Sequence, residues 1–299
     1  MVKIIFLGTS DAVPSSERNH TSIFLNYNGE NILIDCGEGT QRQIRKAKIN
    51  PCSMTRILIT HWHGDHVLGL PGILQTLALS GYNKTLFIYG PKGTKLFIKE
   101  IMKIFASVGK ISLNIEEFSG KEKFLDTPDF FIESREMTHN SPCLAYSFVE
   151  KDKIKINKDK LQKLKIPSGP FLKRLKEGKN IIYNQKRYLA KDLTFVERGK
   201  KISFVLDTSF NKKIISFVKN SDILICESSF SEELNKKAEE YGHLTSKQAA
   251  EIAKKSFSKK LILTHLSQRY NKNQENILNE AIKVFNNSVL AKDFDNFEI

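Results

Sequence analysis

Four potential metal ligands fall within six residues, His61-Trp62-His63-Gly64-Asp65-His66, directly after the apolar run Ile57–Thr60. The chain has only seven histidines, and three of them are here. Imidazole and carboxylate are the ligand types of zinc and similar divalent ions. His61 and His63 lie two residues apart and share a face of an extended segment. The turn at Gly64-Asp65-His66 then brings a second pair alongside. Four ligands in so short a stretch suit two adjacent metals better than one. The hexapeptide therefore asks for a fold that ends a strand here and brings further ligands to meet it.

The same local pattern recurs. Ile202–Leu206 precedes Asp207, Leu261–Thr264 precedes His265, and Phe130–Thr138, which alternates less cleanly, precedes His139. Together with Ile4–Leu7, Ile32–Ile34, Leu86–Tyr89 and Ile223–Cys226, these runs are short and rich in β-branched residues, so they read as strands. Thr40–Ala47, Pro71–Leu79 and Ser246–Phe257 carry helical spacing. Strands mixed with helices give an α/β class, with sheets covered by helices. Ligands at the ends of several buried strands can converge on one edge of such sheets.

At 299 residues and 40% hydrophobic, the chain can build one large core or two small ones. No apolar run approaches the roughly 18–20 residues of a membrane span, and the first ten residues lack the apolar stretch of a signal peptide. These features predict a cytoplasmic chain with no membrane attachment. Cys36, Cys52, Cys143 and Cys226 are far apart and suggest no disulfide framework. The net charge of +14 fits a polyanionic partner, nucleic acid first and anionic membrane second. Much of it is concentrated in Lys151–Lys179, where eleven basic residues face three acidic ones around Ile166-Pro-Ser-Gly-Pro170. This reads as an insertion, a basic arm with a Pro/Gly tip.

The H-x-H-x-D-H pattern, followed by a lone His, a lone Asp and a last His, resembles the metallo-β-lactamase superfamily. Asp35 in Ile34-Asp35-Cys36-Gly37 resembles that superfamily's first motif. Leu7-Gly8-Thr9-Ser10 with Arg18-Asn19-His20-Thr21-Ser22, Asp35-Cys-Gly-Glu-Gly-Thr-Gln-Arg42, Tyr89-Gly-Pro-Lys-Gly-Thr94 and Gly242-His243-Leu-Thr-Ser resemble, within it, the ribonuclease Z family of tRNA 3′-endonucleases in its short form. One departure is Leu206, where the family often has Gly; it leaves Asp207 in place.

The resemblance implies a four-layer αβ/βα sandwich of two mixed β-sheets flanked by helices. One domain would span 1–299, with residues 151–184 as a protruding tRNA-binding arm. It implies two zinc ions per chain, manganese being a possible substitute. His61, His63 and His139 would hold one ion, Asp65, His66 and His265 the other, and Asp207 would bridge them. Asp35 would support the site without ligating. Asp65 would also orient or deprotonate the attacking water, and His243 would protonate or stabilise the leaving 3′-oxygen. Arg18, Asn19, Gly169, Pro170, Lys173 and Arg174 would contact substrate, while His20 is either a substrate contact or a plain loop residue. The implied partner is precursor tRNA, cut to a 3′-OH and a 5′-phosphorylated trailer by a homodimer.

Two rivals remain at this level. A small-molecule hydrolase of the same fold, such as a phosphodiesterase, thioesterase or lactonase, would share the metals and differ only in loops. A non-catalytic RNA-binding protein with structural zinc would need a closed site, usually rich in Cys. The ligand positions here contain no Cys.

Overall fold

A computed structural model describes residues 1–105, 111–120 and 122–299. In chain order the strands are β1 (Val2–Gly8), β2 (Ser22–Tyr27), β3 (Glu30–Ile34), β4 (Arg56–Leu58), β5 (Thr85–Pro91) and β6 (Ser112–Phe118), then β7 (Glu122–Asp126), β8 (Phe130–Met137) and β9 (Cys143–Glu150). Short strands β10 (Lys153–Ile156), β11 (Ile181–Tyr183), β12 (Lys186–Tyr188) and β13 (Thr194–Glu197) follow. The chain closes with β14 (Lys201–Val205), β15 (Ile223–Glu227), β16 (Leu261–Thr264), β17 (Ser288–Leu290) and β18 (Asn296–Glu298).

Two seven-stranded sheets result, ordered β18-β1-β2-β3-β4-β5-β6 and β17-β16-β15-β14-β9-β8-β7. In the first, β1, β2 and β3 pair antiparallel, and β3 to β6 run parallel. In the second, β14 to β17 run parallel. Parallel strands need crossovers, and the amphipathic segments of the sequence supply them. Thr40–Lys46, Leu70–Leu79 and Ser246–Lys255 are helices, as their spacing predicts.

Both faces of each sheet are covered. On the outer face of the first, Ile44, Ile73, Leu74, Leu77 and Ile98 from helices pack on Leu7, Leu33, Ile57 and Ile88. On the outer face of the second, Ala249, Ile252, Ala253, Ile277 and Ala281 pack on Val205, Leu224, Leu261 and Leu263. Between the sheets, Tyr27 meets Phe148 edge to face at 5.2 Å, and the Tyr146 hydroxyl donates to the Ile59 carbonyl at 2.7 Å. Each fully buried aliphatic or aromatic side chain contributes about 1.5–3 kcal/mol. The result is an αβ/βα sandwich of two mixed sheets. Among the described residues no helix is long and apolar enough to cross a membrane.

The chain divides into two compact units, Met1–Leu125 with Ile132–Phe148 and Lys201–Ile299, and Asp126–Phe131 with Val149–Lys200. The second is the basic insertion, and it extends beyond residue 184. Two antiparallel hairpin-like pairs, β10 with β13 and β11 with β12, enclose a core of Leu161, Ile166, Leu172, Leu175, Ile181 and Leu193. Gly169-Pro170 opens a single helical turn, Pro170–Leu172. In that turn Leu172 is buried and Phe171 stacks parallel to Tyr183 at 5.9 Å. The Pro/Gly segment read as a tip is thus packed on the unit's own core.

Candidate metal centre

Strand ends build the site. Asp35 follows β3, and the hexapeptide begins three residues after β4. His63 stays extended and caps the short helix Gly64–Val67, whose first turn presents Asp65 and His66. β14, β15 and β16 are parallel neighbours in register, so their C-terminal ends bring Asp207, Glu227 and His265 side by side. His139 follows β8 by two residues. Asp35, Asp207 and His265 sit at φ of 54°, 32° and 57°, left-handed conformations that cost non-glycine residues about 1–3 kcal/mol each. Such strain marks places where the chain is bent to aim a side chain.

Two clusters form, and Asp207 belongs to both. Its Oδ2 lies 3.5 Å from His61 Nε2 and 3.9 Å from His139 Nε2, and His139 Nε2 is 3.2 Å from His63 Nδ1. Its Oδ1 lies 3.3 Å from His66 Nε2 and 3.2 Å from His265 Nε2. Asp65 Oδ2 completes the second cluster at 3.2 Å from His66 Nε2 and 3.3 Å from His265 Nε2.

These groups fit metal ions. His61 Nε2 and Asp207 Oδ1 are buried without a hydrogen-bond partner, a cost that a buried polar atom normally avoids. Ligands bound tetrahedrally at about 2.0–2.1 Å stand about 3.4 Å apart, close to the spacing seen within each cluster.

The opposite ring nitrogens are held. His66 Nδ1 lies 2.6 Å from Asp35 Oδ2, while Asp35 also accepts from the Thr60 amide and hydroxyl, both at 2.7 Å. His265 Nδ1 meets Ser229 Oγ at 2.8 Å, and His139 Nδ1 meets the Gly242 carbonyl at 3.0 Å. Fixing one nitrogen fixes the tautomer and leaves the other free to ligate. Without metal, charge does part of the same work. Burial alone would lower His66, but Asp207, Asp35 and Asp65 hold it well above the usual histidine range. Burial would raise Asp207, but His265, His66 and His61 hold it well below the usual carboxylate range. Metal uptake displaces these protons, so it weakens as pH falls.

Sequence reading missed Glu227. Fully buried at the end of β15, it accepts from the Thr208 amide at 2.7 Å and from Ser229 Oγ at 2.8 Å. Its carboxylate lies 3.1 Å from His243 Nδ1. Burial would lower His243, but Glu227 outweighs it and raises it to about 9. Glu227, His243 and His265 also sit close enough to hold an ion, but Glu227 already has three partners and His243 has its charge balanced. The signal was present, because Glu227 ends the run Ile223–Cys226 as Asp207 and His265 end theirs. A cavity of about 620 Å³ is lined by His63, Asp65, Asp207, His243 and His265 together with Phe230, Lys237, Tyr241 and Arg269.

Within the first unit, the side chains of Arg18 and Asn19 are engaged in hydrogen bonds of their own. Arg18 is buried, its guanidinium donating to Thr9 Oγ1, the Ala291 carbonyl and Gln274 Oε1, each at 2.7 Å. It ties the 9–20 loop to the C-terminal segment. Asn19 likewise donates its side chain to the Glu38 carbonyl at 2.6 Å and its amide to Asp293 at 2.8 Å. His20 is buried, with Nε2 3.3 Å from the Ala12 carbonyl. Gly169, Pro170, Lys173 and Arg174 lie in the inserted unit, where Lys173 and Arg174 are exposed.

A family profile described as "Anti-Pycsar protein Apyc1" matches residues 2–138, less than half of the chain. A ribonuclease Z of Nanoarchaeum equitans is 44% identical over 267 residues, which is 89% of this chain and 84% of that protein. The chain belongs to the ribonuclease Z family. A ribonuclease Z of Archaeoglobus fulgidus is 38% identical over 100% of this chain and 98% of its own length. Among solved structures, human tRNase Z, short form (ELAC1), superimposes with a TM-score of 0.74 at 28% identity, covering 99% of both chains. The metallo-β-lactamase fold protein YhfI of Bacillus subtilis, at TM-score 0.72 and 20% identity, shares the fold.

In a ribonuclease Z built this way, the contact of Asp35 with His66 Nδ1 can be tested by substitution. Asp35→Asn keeps the shape but turns an acceptor for the His66 Nδ1–H partly into a donor. The expected result is a metal affinity lower by about 10–100-fold, read by titration with a competing chelator. Unchanged affinity would reduce Asp35 to a partner of Thr60.

Proposed function

We propose that this ribonuclease Z, a tRNA 3′-processing endoribonuclease, removes the 3′ trailer from precursor tRNA in the cytoplasm with two zinc ions per chain. The observation that carries the metal count is Asp207, whose two oxygens face two separate sets of imidazoles. His61, His63 and His139 would hold one ion and Asp65, His66 and His265 the other, and Asp207 would serve both. Five imidazoles against two carboxylates favour zinc, and the carboxylates leave manganese a workable substitute. Bound there, the ions would supply acidity to the attacking water and positive charge for the phosphate.

The side chains do the rest. Asp65 orients the attacking water and takes its proton as the oxygen closes on phosphorus. The bond from phosphorus to the 3′-oxygen breaks, and His243, held by Glu227, gives that oxygen its proton. The products are a tRNA 3′-OH and a trailer with a 5′-phosphate. The inserted unit carries sixteen basic residues against six acidic ones between 149 and 200. That balance supports a grip on tRNA through phosphates and shape. A homodimer in which one chain's insertion serves its partner's site completes the reading; sedimentation at the mass of a monomer would remove that part.

The test is a precursor tRNA with a 3′ trailer, incubated with wild type and with Asp65→Ala, each supplied with Zn²⁺ or Mn²⁺. The expected result is one cut at the 3′ end of the mature tRNA and none by the variant. A metal-loaded wild type that leaves the RNA intact and hydrolyses a thioester or lactone would favour the small-molecule reading.

A further inference from the structure

The cavity beside the metal ligands has a second wall of different chemistry. Phe230 lies three residues beyond β15, and Tyr241 is the last residue of the helix Asn235–Tyr241. Their rings are nearly parallel, 12° apart, with centroids 6.4 Å apart. Phe230 is 5% exposed. It is pinned by the Arg269 guanidinium, 4.7 Å from its ring centre, and Arg269 is itself held by Ser267 Oγ at 3.0 Å. Tyr241 is 50% exposed. An ordered, buried ring thus backs an open one at the mouth of a phosphate-processing site.

RNA reaching such a site must be single-stranded, because a paired base cannot unstack and a duplex cannot place its backbone at the bottom of a cavity. An unpaired base next to the cut needs a new stacking partner. Aromatic faces give it one without regard to sequence, worth about 1–3 kcal/mol per base. Fixed geometry says which base. The Phe230 ring lies 6.0 Å from the His243 ring, so this wall adjoins the group that serves the leaving 3′-oxygen. The nucleoside that keeps that oxygen is the one on the 5′ side of the cut.

We propose that Tyr241, backed by Phe230, is the stacking platform for the base on the 5′ side of the cut, the last nucleotide of the mature tRNA. The side of the cut rests on reading His243 as proton donor to the leaving oxygen. Stacking rather than hydrogen bonding selects the nucleotide, so the site accepts any base there and prefers purines, whose faces are larger. Tyr241 is a specificity and positioning residue; it does not take part in proton transfer.

The experiment uses the metal-loaded full chain and precursor tRNAs carrying one abasic nucleotide, either just 5′ or just 3′ of the cut. Wild type should lose roughly tenfold or more in kcat/KM on the 5′-abasic substrate and little on the 3′-abasic one. Tyr241→Ala should lose the same factor on intact RNA and nothing further on the 5′-abasic RNA, while Tyr241→Phe behaves as wild type. Additive losses from the variant and the 5′-abasic site would overturn the proposal, as would a loss that follows the 3′ nucleotide. The wild-type arm needs no variant to fold. Failure of wild type to cut intact precursor tRNA would instead defeat the functional reading beneath it.

Discussion

Asp207→Ala should empty the metal centre, whereas His243→Ala should leave it full and slow the reaction. Asp207 is the one ligand whose two oxygens face both clusters, at 3.5 Å from His61 and 3.2 Å from His265. On the two-ion reading, removing it would take a ligand from each ion and, among the described residues, the carboxylate grouped with His61, His63 and His139. Metal content measured on the purified chain should fall from about two to below one, and cleavage of precursor tRNA by about a thousandfold or more. His243 touches the centre differently. Its Nδ1 is directed to Glu227 at 3.1 Å and lies 3.9 Å from Asp207. His243→Ala should therefore keep both ions and lower kcat by about 10²–10⁴-fold, the range of one acid–base group. Loss of metal in His243→Ala would make it a ligand and shift the proton-donor role elsewhere. Full metal content in Asp207→Ala would mean that the bridging arrangement does not hold the ions.

The parts of this site that could be read in the sequence share one cause. A parallel strand buried on both faces is a short apolar run, and whatever follows it emerges at one edge of the sheet. The residues after Ile57–Thr60, Leu261–Thr264 and Ile202–Leu206 were legible for that reason. Glu227 obeys the same rule, but a carboxylate at the end of a run looks like the first polar residue of a loop until its neighbours are known. β9 was not anticipated because Ala145 and Ser147 interrupt its apolar run, although Cys143 to Phe148 are all buried. β6 hides for the opposite reason, since its Asn114, Glu116 and Glu117 make it read as a charged loop. The burial of Arg18 was hidden because its partners are remote: a charged residue in a loop reads as exposed, and the Ala291 carbonyl it donates to lies 273 residues away. In the insertion the charge was plain and the core was not, because Leu161, Ile166, Leu172 and Leu175 are spaced irregularly among lysines.

Replacing Lys151–Gly199 with a short turn should separate RNA recognition from chemistry. The break is a natural one. The Glu150 amide donates to the Lys200 carbonyl at 2.8 Å, so β9 and β14 already stand side by side where the insertion leaves and returns. The removed unit keeps its own core, and none of the metal ligands lies within it. It takes away most of the basic excess, including a groove of about 600 Å³ where Lys160, Lys163, Lys186 and Arg187 share the lining with Tyr188, Leu164, Leu189, Leu193 and Asp192. Each phosphate contact made there would add about 0.7–0.9 to the slope of log affinity against log salt. The expected outcome is a loss of about a hundredfold or more in kcat/KM for precursor tRNA, with hydrolysis of a small phosphodiester and metal content nearly unchanged. A milder variant guards against a folding artefact: Lys163→Glu with Lys186→Glu and Arg187→Glu keeps the core of the unit and should raise KM while flattening its salt dependence by about two to three. Equal loss on RNA and on the small phosphodiester would show that the insertion supports the active site itself. Loss on neither would reduce its fifteen cations to a solvated surface.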